Sequence, residues 1–197
     1  IEFKRNPIVF KGRLRLNSDH FEVLPEAFVC RREFDISINL PDYNAHNDKS
    51  GICWLDKEAD KWVWLDNVNK DGVLTAKSIG GGSFAVLYDY DPPDISRLNI
   101  VNGRTYYDLK PVISFNVADS LSGIVDDLAF TIKLDGQWMI PEYDPEDKVC
   151  KTVPVEALEP GSHHLGIMVT DRLGNLTEQY LNFNVSPGNR KRPGKGN

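Results

Sequence analysis

"HHLGIMVTDRLGNLTEQYLNFNV" runs from His163 to Val185, and whether it holds a site or a pair of strands decides how the whole chain is read. Two adjacent histidines followed by an aspartate and an asparagine raise the question of a metal or catalytic centre. Alternation answers it. Successive side chains on a strand point to opposite faces. Leu165, Ile167 and Val169 share one face, and His163 has their parity; His164 points the other way with Gly166, Met168 and Thr170. Neighbouring histidines on opposite faces are poorly placed to chelate one ion. The expectation is a hydrogen-bonded inner His163 and an exposed His164. "TDRLGN" then reads as a turn, in which Asp171 caps backbone N–H groups, Gly174 supplies a positive φ and Asn175 tolerates the left-handed region. The strand resumes at "EQYLNFNV".

The same pattern recurs outward along the chain. "IVFKGRLRL", "FDISINL", "GICWLD", "KWVWLD", "SFAVLYDY", "PVISFNVAD" and "LAFTIKLDG" alternate with period two or are rich in β-branched and aromatic residues. Gly, Pro, Asn and Asp bound them, and no long segment carries the 3.6-residue helical period. Short strands between such turn signals predict an all-β fold of sandwich type. "DKEADKW" predicts a hairpin between two tryptophan-bearing strands. "LDGQW" places Asp135-Gly136 at a two-residue turn of type I′. In "DYDPPDIS" (89–96) two prolines cannot donate to a β ladder and hold the chain extended. The expectation is therefore two tandem immunoglobulin-like or fibronectin-like sandwiches, residues 1–91 and 92–187, followed by a disordered basic tail, 188–197.

Charge narrows the partners. The net charge is −6, but the last nine residues, "NRKRPGKGN", hold four cations and no acid. The remainder carries 19 basic and 29 acidic residues, a net −10. Nucleic-acid binding needs a basic groove or stripe, so nucleic acid is not an expected partner. No apolar run approaches the ~18 residues of a membrane span. The opening "IEFKRNPIVF" has no initiator Met and no signal-peptide core, which points to a processed protein or a fragment.

Candidate chemistry is sparse. The three cysteines, Cys30, Cys53 and Cys150, form no CxxC, and the four histidines do not fall at zinc-finger spacing. A Cys30–Cys53 disulfide and buried free thiols both stay open. Asp89, Asp91 and Asp94 form the leading calcium candidate, since Ca²⁺ takes six to eight oxygen ligands; the alternative is a solvated acidic loop. Other acidic stretches, "DSLSGIVDD" and "EYDPED", show no EF-hand pattern. Trp54, Trp62 and Trp64 form the ligand-platform candidate, because exposed aromatic rows stack on sugar rings. Cross-strand aromatic pairing through Trp54 is expected if so; the alternative is that these rings fill the core. "SIGGGSF" lacks the lysine and helix of a phosphate loop, and no G-x-S-x-G elbow or paired carboxylates point to hydrolysis. The chain is read as a non-enzyme.

Residues 93–186 carry a resemblance. Asp119, Ser122, Gly123 and Ile124 open a D-x-x-S-G-I pattern. Asp135-Gly136, Tyr143-Asp144-Pro145, Leu158, Pro160-Gly161, His163, Leu165, Asp171, Gly174 and Asn175 continue it in order. This resembles a bacterial extracellular immunoglobulin-like or fibronectin-like module. The first half, with its tryptophan hairpin and the exit "SFAVLYDYDPPDI", is similar to a β-sandwich that precedes such modules. Together they resemble the C-terminal accessory region of some exported lysostaphin-type zinc endopeptidases. That family's H-x-H zinc motif is missing here, so the resemblance implies an exported, multidomain context and not peptidase activity. The functional expectation is a non-catalytic accessory, interaction and spacer region of an extracellular, cell-surface or periplasmic bacterial protein. A cell-wall or surface polymer, or a protein, would be its partner. A carbohydrate-binding module using the three tryptophans and a self-associating surface subunit are the alternatives.

Overall fold

A computed structural model of the chain describes residues 2–6, 15–16, 20–25, 29–40 and 47–188. His46 and the basic tail from residue 189 lie outside the described residues. Contacts divide the chain into two compact units, Ile1–Asp91 with Ser120–Gly123, and Pro92–Asp119 with Ile124–Asn197. The protein is all-β: the only helical turns among the described residues are single 3-10 turns at Asn47–Lys49 and Asp127–Ala129. No helix among them is long and apolar enough to cross a membrane.

Unit 1 contains β1 (Glu2–Asn6), β2 (Arg15–Leu16), β3 (His20–Leu24), β4 (Val29–Asn39), β5 (Ser50–Asp56), β6 (Lys61–Trp64), β7 (Asn67–Lys70), β8 (Val73–Gly80) and β9 (Gly82–Tyr88). One sheet runs β1-β3-β9-β5-β6, with β2 also on β9; the other runs β4-β8-β7. β8 and β9 lie in different sheets, and Gly81 alone separates them. Ile36, Leu74 and Ala76 from the small sheet meet Val23, Ile52, Phe84 and Val86 from the large one. Phe21 stacks on Phe84 at 5.7 Å. The sheet's other face is also covered, by Cys53, Ala85, Leu87 and Leu121 with Trp62 and Trp64 against them. Covering on both faces explains the continuous apolar run "SFAVL" in β9, since alternation is expected only of a strand with one wet side.

Unit 2 contains β10 (Asp94–Ser96), β11 (Thr105–Tyr106), β12 (Ile113–Ala118), β13 (Phe130–Leu134), β14 (Gln137–Met139), β15 (Glu142–Asp144), β16 (Val149–Thr152), β17 (Gly161–Thr170) and β18 (Leu176–Val185). They form a sheet β10-β12-β16-β15 and a sheet β11-β18-β17-β13-β14. Ile113, Phe115, Val117 and Cys150 from the first pack with Ile132, Leu165, Ile167, Val169, Leu181, Phe183 and Val185 from the second. Neighbouring strands are antiparallel except β11, which pairs parallel to β18 through Thr105↔Asn184 and Tyr106↔Val185. Hydrogen bonds Gly103 N–H to Asn182 O (2.7 Å), Asn184 N–H to Arg104 O (2.8 Å) and Ser186 N–H to Tyr106 O (2.9 Å) fasten that pair.

The turns follow their side chains. β13 and β14 close on Leu134↔Gln137, with φ of 52° at Asp135 and 81° at Gly136, the two positive values that type I′ requires. Between β17 and β18, Asp171 Oδ1 accepts from the N–H groups of Leu173 and Asn175, both at 2.8 Å. Gly174 takes φ 74°. Asn175 does not enter the left-handed region; its Nδ2 donates to Asp171 Oδ2 at 2.6 Å instead. The hairpin at 56–61 starts on Asp56, whose Oδ1 accepts from Glu58 and Ala59 N–H.

Candidate binding face

The tryptophan hairpin does not form one platform. Its register sets Trp54 opposite Val63, Trp62 opposite Leu55 and Trp64 opposite Cys53. Directly paired residues share a face, so Trp54 lies on the face opposite Trp62 and Trp64, and the expected cross-strand aromatic pair is not made. Trp54 packs on the core between the sheets, and Trp62 and Trp64 on the Cys53–Ala85–Leu87 cluster. Two of the rings lie on glycines. A Cβ built on Gly51 would stand 2.1 Å from Trp64 Cη2, and one on Gly82 2.6 Å from Trp54 Nε1. The loop-closing pair Asp56↔Lys61 carried this information in the sequence, because it fixes which residues oppose one another.

The calcium candidates are also used locally or dispersed. Asp89 is buried in unit 1. Its Oδ2 accepts from Ser122 N–H at 2.8 Å and its Oδ1 from Asp91 N–H at 3.2 Å. Asp91 is half-buried at the end of that unit, whereas Asp94 is an exposed residue of β10 in unit 2. In unit 2 the carboxylates of Asp119 and Asp171 approach within 4.8 Å, and Asp171 is the turn cap already described.

All three cysteines are free thiols. Burial, with the charge of Asp89 adding to it, pushes the Cys53 thiol far up. Burial is also the main cause that raises Cys150, to about 12. Neither is a thiolate near neutral pH, so neither has the activated form that nucleophilic chemistry needs.

Exposed aromatic surface lies elsewhere, on the outer face of the β11-β18-β17-β13-β14 sheet. The register aligns Trp138 with Lys133, Lys133 with Gly166, and Gly166 with Tyr180, one residue on each of four adjacent strands. Trp138 is 59% exposed and Tyr180 56%. The Tyr180 ring leans over Gly166, where an added Cβ would meet Cε1 at 2.9 Å. It also stacks on His164, centroids 6.0 Å apart and planes 7° apart. His164 Nδ1 lies 2.9 Å from Asn182 Oδ1, and Tyr180 Oη donates to Glu178 at 3.4 Å. The result is a broad face with ring surfaces at Trp138, Tyr180 and His164, and polar groups at Lys133, Asn182 and Glu178 around them. Neighbouring strands are ~4.8 Å apart, so this row of four strands spans roughly 14 Å. Sequence reading missed it because the row assembles residues 133, 138, 166 and 180. The one local signal was parity, which already set His164 and Gly166 on the outer face.

His163 faces inward at 8% exposure, tilted against Phe183 at 5.7 Å. Its Nδ1 lies 2.7 Å from Asp135 Oδ2 and its Nε2 2.8 Å from the Glu159 carbonyl oxygen. Asp135 Oδ1 accepts from His164 N–H at 2.8 Å. Burial alone would lower the pKa of His163; the hydrogen bonds to Asp135 and Glu159 and the charge of Asp135 outweigh it and hold it above its ordinary value. For Asp135 burial acts upward, and the bonds from His163 and from His164 N–H, with the charges of both rings, bring it below the ordinary carboxylate range.

No protein-family profile and no curated protein matches the chain. Among solved structures, CopC from Methylosinus trichosporium OB3b aligns with 48% of this chain and 94% of its own, at 15% identity and a TM-score of 0.39. The dimeric latent PorU from Porphyromonas gingivalis aligns with 89% of this chain at 15% identity and a TM-score of 0.42. That match spans 24% of the PorU chain.

Proposed function

We propose that this chain is a non-catalytic accessory and interaction region of an exported or cell-surface protein, and that unit 2 binds a surface polysaccharide on its outer sheet face. The observation that carries the reading is the solvent-facing row Trp138–Lys133–Gly166–Tyr180, backed by His164 and Asn182. Sugar rings present C–H faces that stack on aromatic rings and hydroxyls that need hydrogen-bond partners at the rim. Ring surfaces gathered on one sheet face beside polar groups suit contact with such a ligand. Asp56 and Asp171, by contrast, spend their carboxylates inside their own turns. Unit 1, with its tryptophans packed inward, serves as the spacer.

Affinity electrophoresis in gels containing soluble cell-wall glycans tests this directly. Wild-type protein is expected to be retarded by at least one glycan. Trp138→Ala and Tyr180→Ala are each expected to weaken retention about tenfold, corresponding to ~1.4 kcal/mol. Trp62, half-buried against the Cys53–Ala85–Leu87 cluster, is the control: any effect of Trp62→Ala should track loss of fold by circular dichroism. Equal retention of wild type, Trp138→Ala and Tyr180→Ala, or no retention on any glycan, would sink the reading.

A further inference from the structure

Both ring nitrogens of His163 face oxygens that only accept. One is the Glu159 backbone carbonyl and the other is a carboxylate oxygen of Asp135. A neutral imidazole has a single N–H. With Asp135 ionised, a neutral His163 therefore leaves one contact acceptor against acceptor, at a distance of 2.7 or 2.8 Å. The imidazolium satisfies both. The ring lies on the core face of β17 against Phe183, its cross-strand partner on β18, so turning its nitrogens to water means leaving that packing. The three partners come from separate places in the chain: the β13–β14 turn, the segment before β17, and β17 itself.

We propose that His163, Asp135 and the Glu159 carbonyl form a proton-operated latch, which fastens the β13–β14 turn and the Glu159–Gly161 entry segment together while His163 carries two protons and releases them when it loses one. The groups around the ring are few. Asp135 faces it from the β13–β14 turn. Glu159 offers its carbonyl, with its side chain exposed. Phe183, from β18, does not titrate. His164, on the same strand, projects to the opposite face and donates its backbone N–H to Asp135 Oδ1. The sign follows from these contacts. His163 is raised in the folded protein, so the latch is fully closed below the unfolded histidine value of about 6.5 and opens as pH rises through the folded value. Asp135 is lowered, so the latch holds above about 3.9 and fails as pH falls through the folded Asp135 value. The closed window lies between these two transitions.

The test uses the full chain. Histidine side-chain ¹⁵N–¹H spectra between pH 5 and 9 read the protonation of each ring nitrogen. Amide hydrogen exchange at Asp135 and His164, whose N–H groups bond His164 O and Asp135 Oδ1, reads the latch itself. His163 is expected to be doubly protonated at pH 6 and to titrate above 6.5. Protection at these two amides, corrected for intrinsic exchange, is expected to drop about tenfold for each unit by which its pKa is raised. Asp135→Asn is the decisive variant. Asparagine suits the first position of a type I′ turn, and its amide offers a donor to Nδ1 and an acceptor to His164 N–H. A neutral His163 is then satisfied on both sides, and the pH dependence of protection should vanish. A His163 that is neutral at pH 6, or an Asp135→Asn variant that keeps the wild-type pH dependence, overturns the latch. The wild-type spectra decide the matter alone if the variant fails to fold.

Discussion

The two units place aromatic rings on glycines in opposite settings. In unit 1, Trp64 lies over Gly51 and Trp54 over Gly82, and both rings pack into apolar clusters. In unit 2, Tyr180 lies over Gly166 on a face turned to water. The local device is the same: a missing Cβ on one strand makes room for a ring from its neighbour. What lies above the ring differs. The half-buried rings of unit 1 stabilise the fold through the area they remove from water, while an exposed ring remains available to a ligand. The comparison teaches that aromatic content and glycine spacing do not reveal which sheet face is a binding face; only the layer above it does.

That contrast can be broken by substitution. Trp64→Ala should cost unit 1 about 3–5 kcal/mol, the usual range for deleting a packed tryptophan, measured as the unfolding midpoint in urea. Gly51→Ala should cost about 1–3 kcal/mol, because the new methyl falls 2.1 Å from Trp64 Cη2 and a packed ring has little room to yield. Gly166→Ala should cost less than about 1 kcal/mol, since the exposed Tyr180 ring can swing away. Its stacking on His164 should weaken, visible as a changed ring-current shift of the His164 protons. Trp138→Ala should stay within about ±0.5 kcal/mol of wild type while weakening glycan retention about tenfold. A large stability loss there would show that Trp138 is structural and erase the contrast. The thiols sharpen it from another side: Cys53 and Cys150 are buried in separate units, and both should resist Ellman's reagent until denaturant is added.

Much of the fold was legible because its signals are local. Period-two alternation marked β17 and β18, and the Asp135-Gly136 and Asp171–Asn175 turns follow from side chains within five residues of one another. Parity alone set His163 inward and His164 outward. Other features depend on which strands become neighbours. The covering of both faces of β9 involves Leu121, more than thirty residues away. The Asp135–His163 contact spans 28 residues, and the Trp138–Tyr180 row requires four strands in register. The tryptophan platform failed for a narrower reason. A hairpin's closing pair fixes every opposite pair after it, and Asp56↔Lys61 sets Trp54 against Val63. The calcium grouping of Asp89, Asp91 and Asp94 rested on nearness in sequence, whereas Asp89 turns inward to cap Asp91 and Ser122.

The parallel pairing of β11 with β18 has a mechanical consequence. β11 lies near the start of unit 2 and β18 at its end, so tension along the chain draws β11 toward its N-terminus and β18 toward its C-terminus. In a parallel pair these directions are opposed along the strand axis. The bonds at Gly103, Asn184 and Ser186 are then loaded together in shear, not opened one by one as in an unzipping hairpin. A unit built this way yields abruptly at a high force instead of paying out gradually.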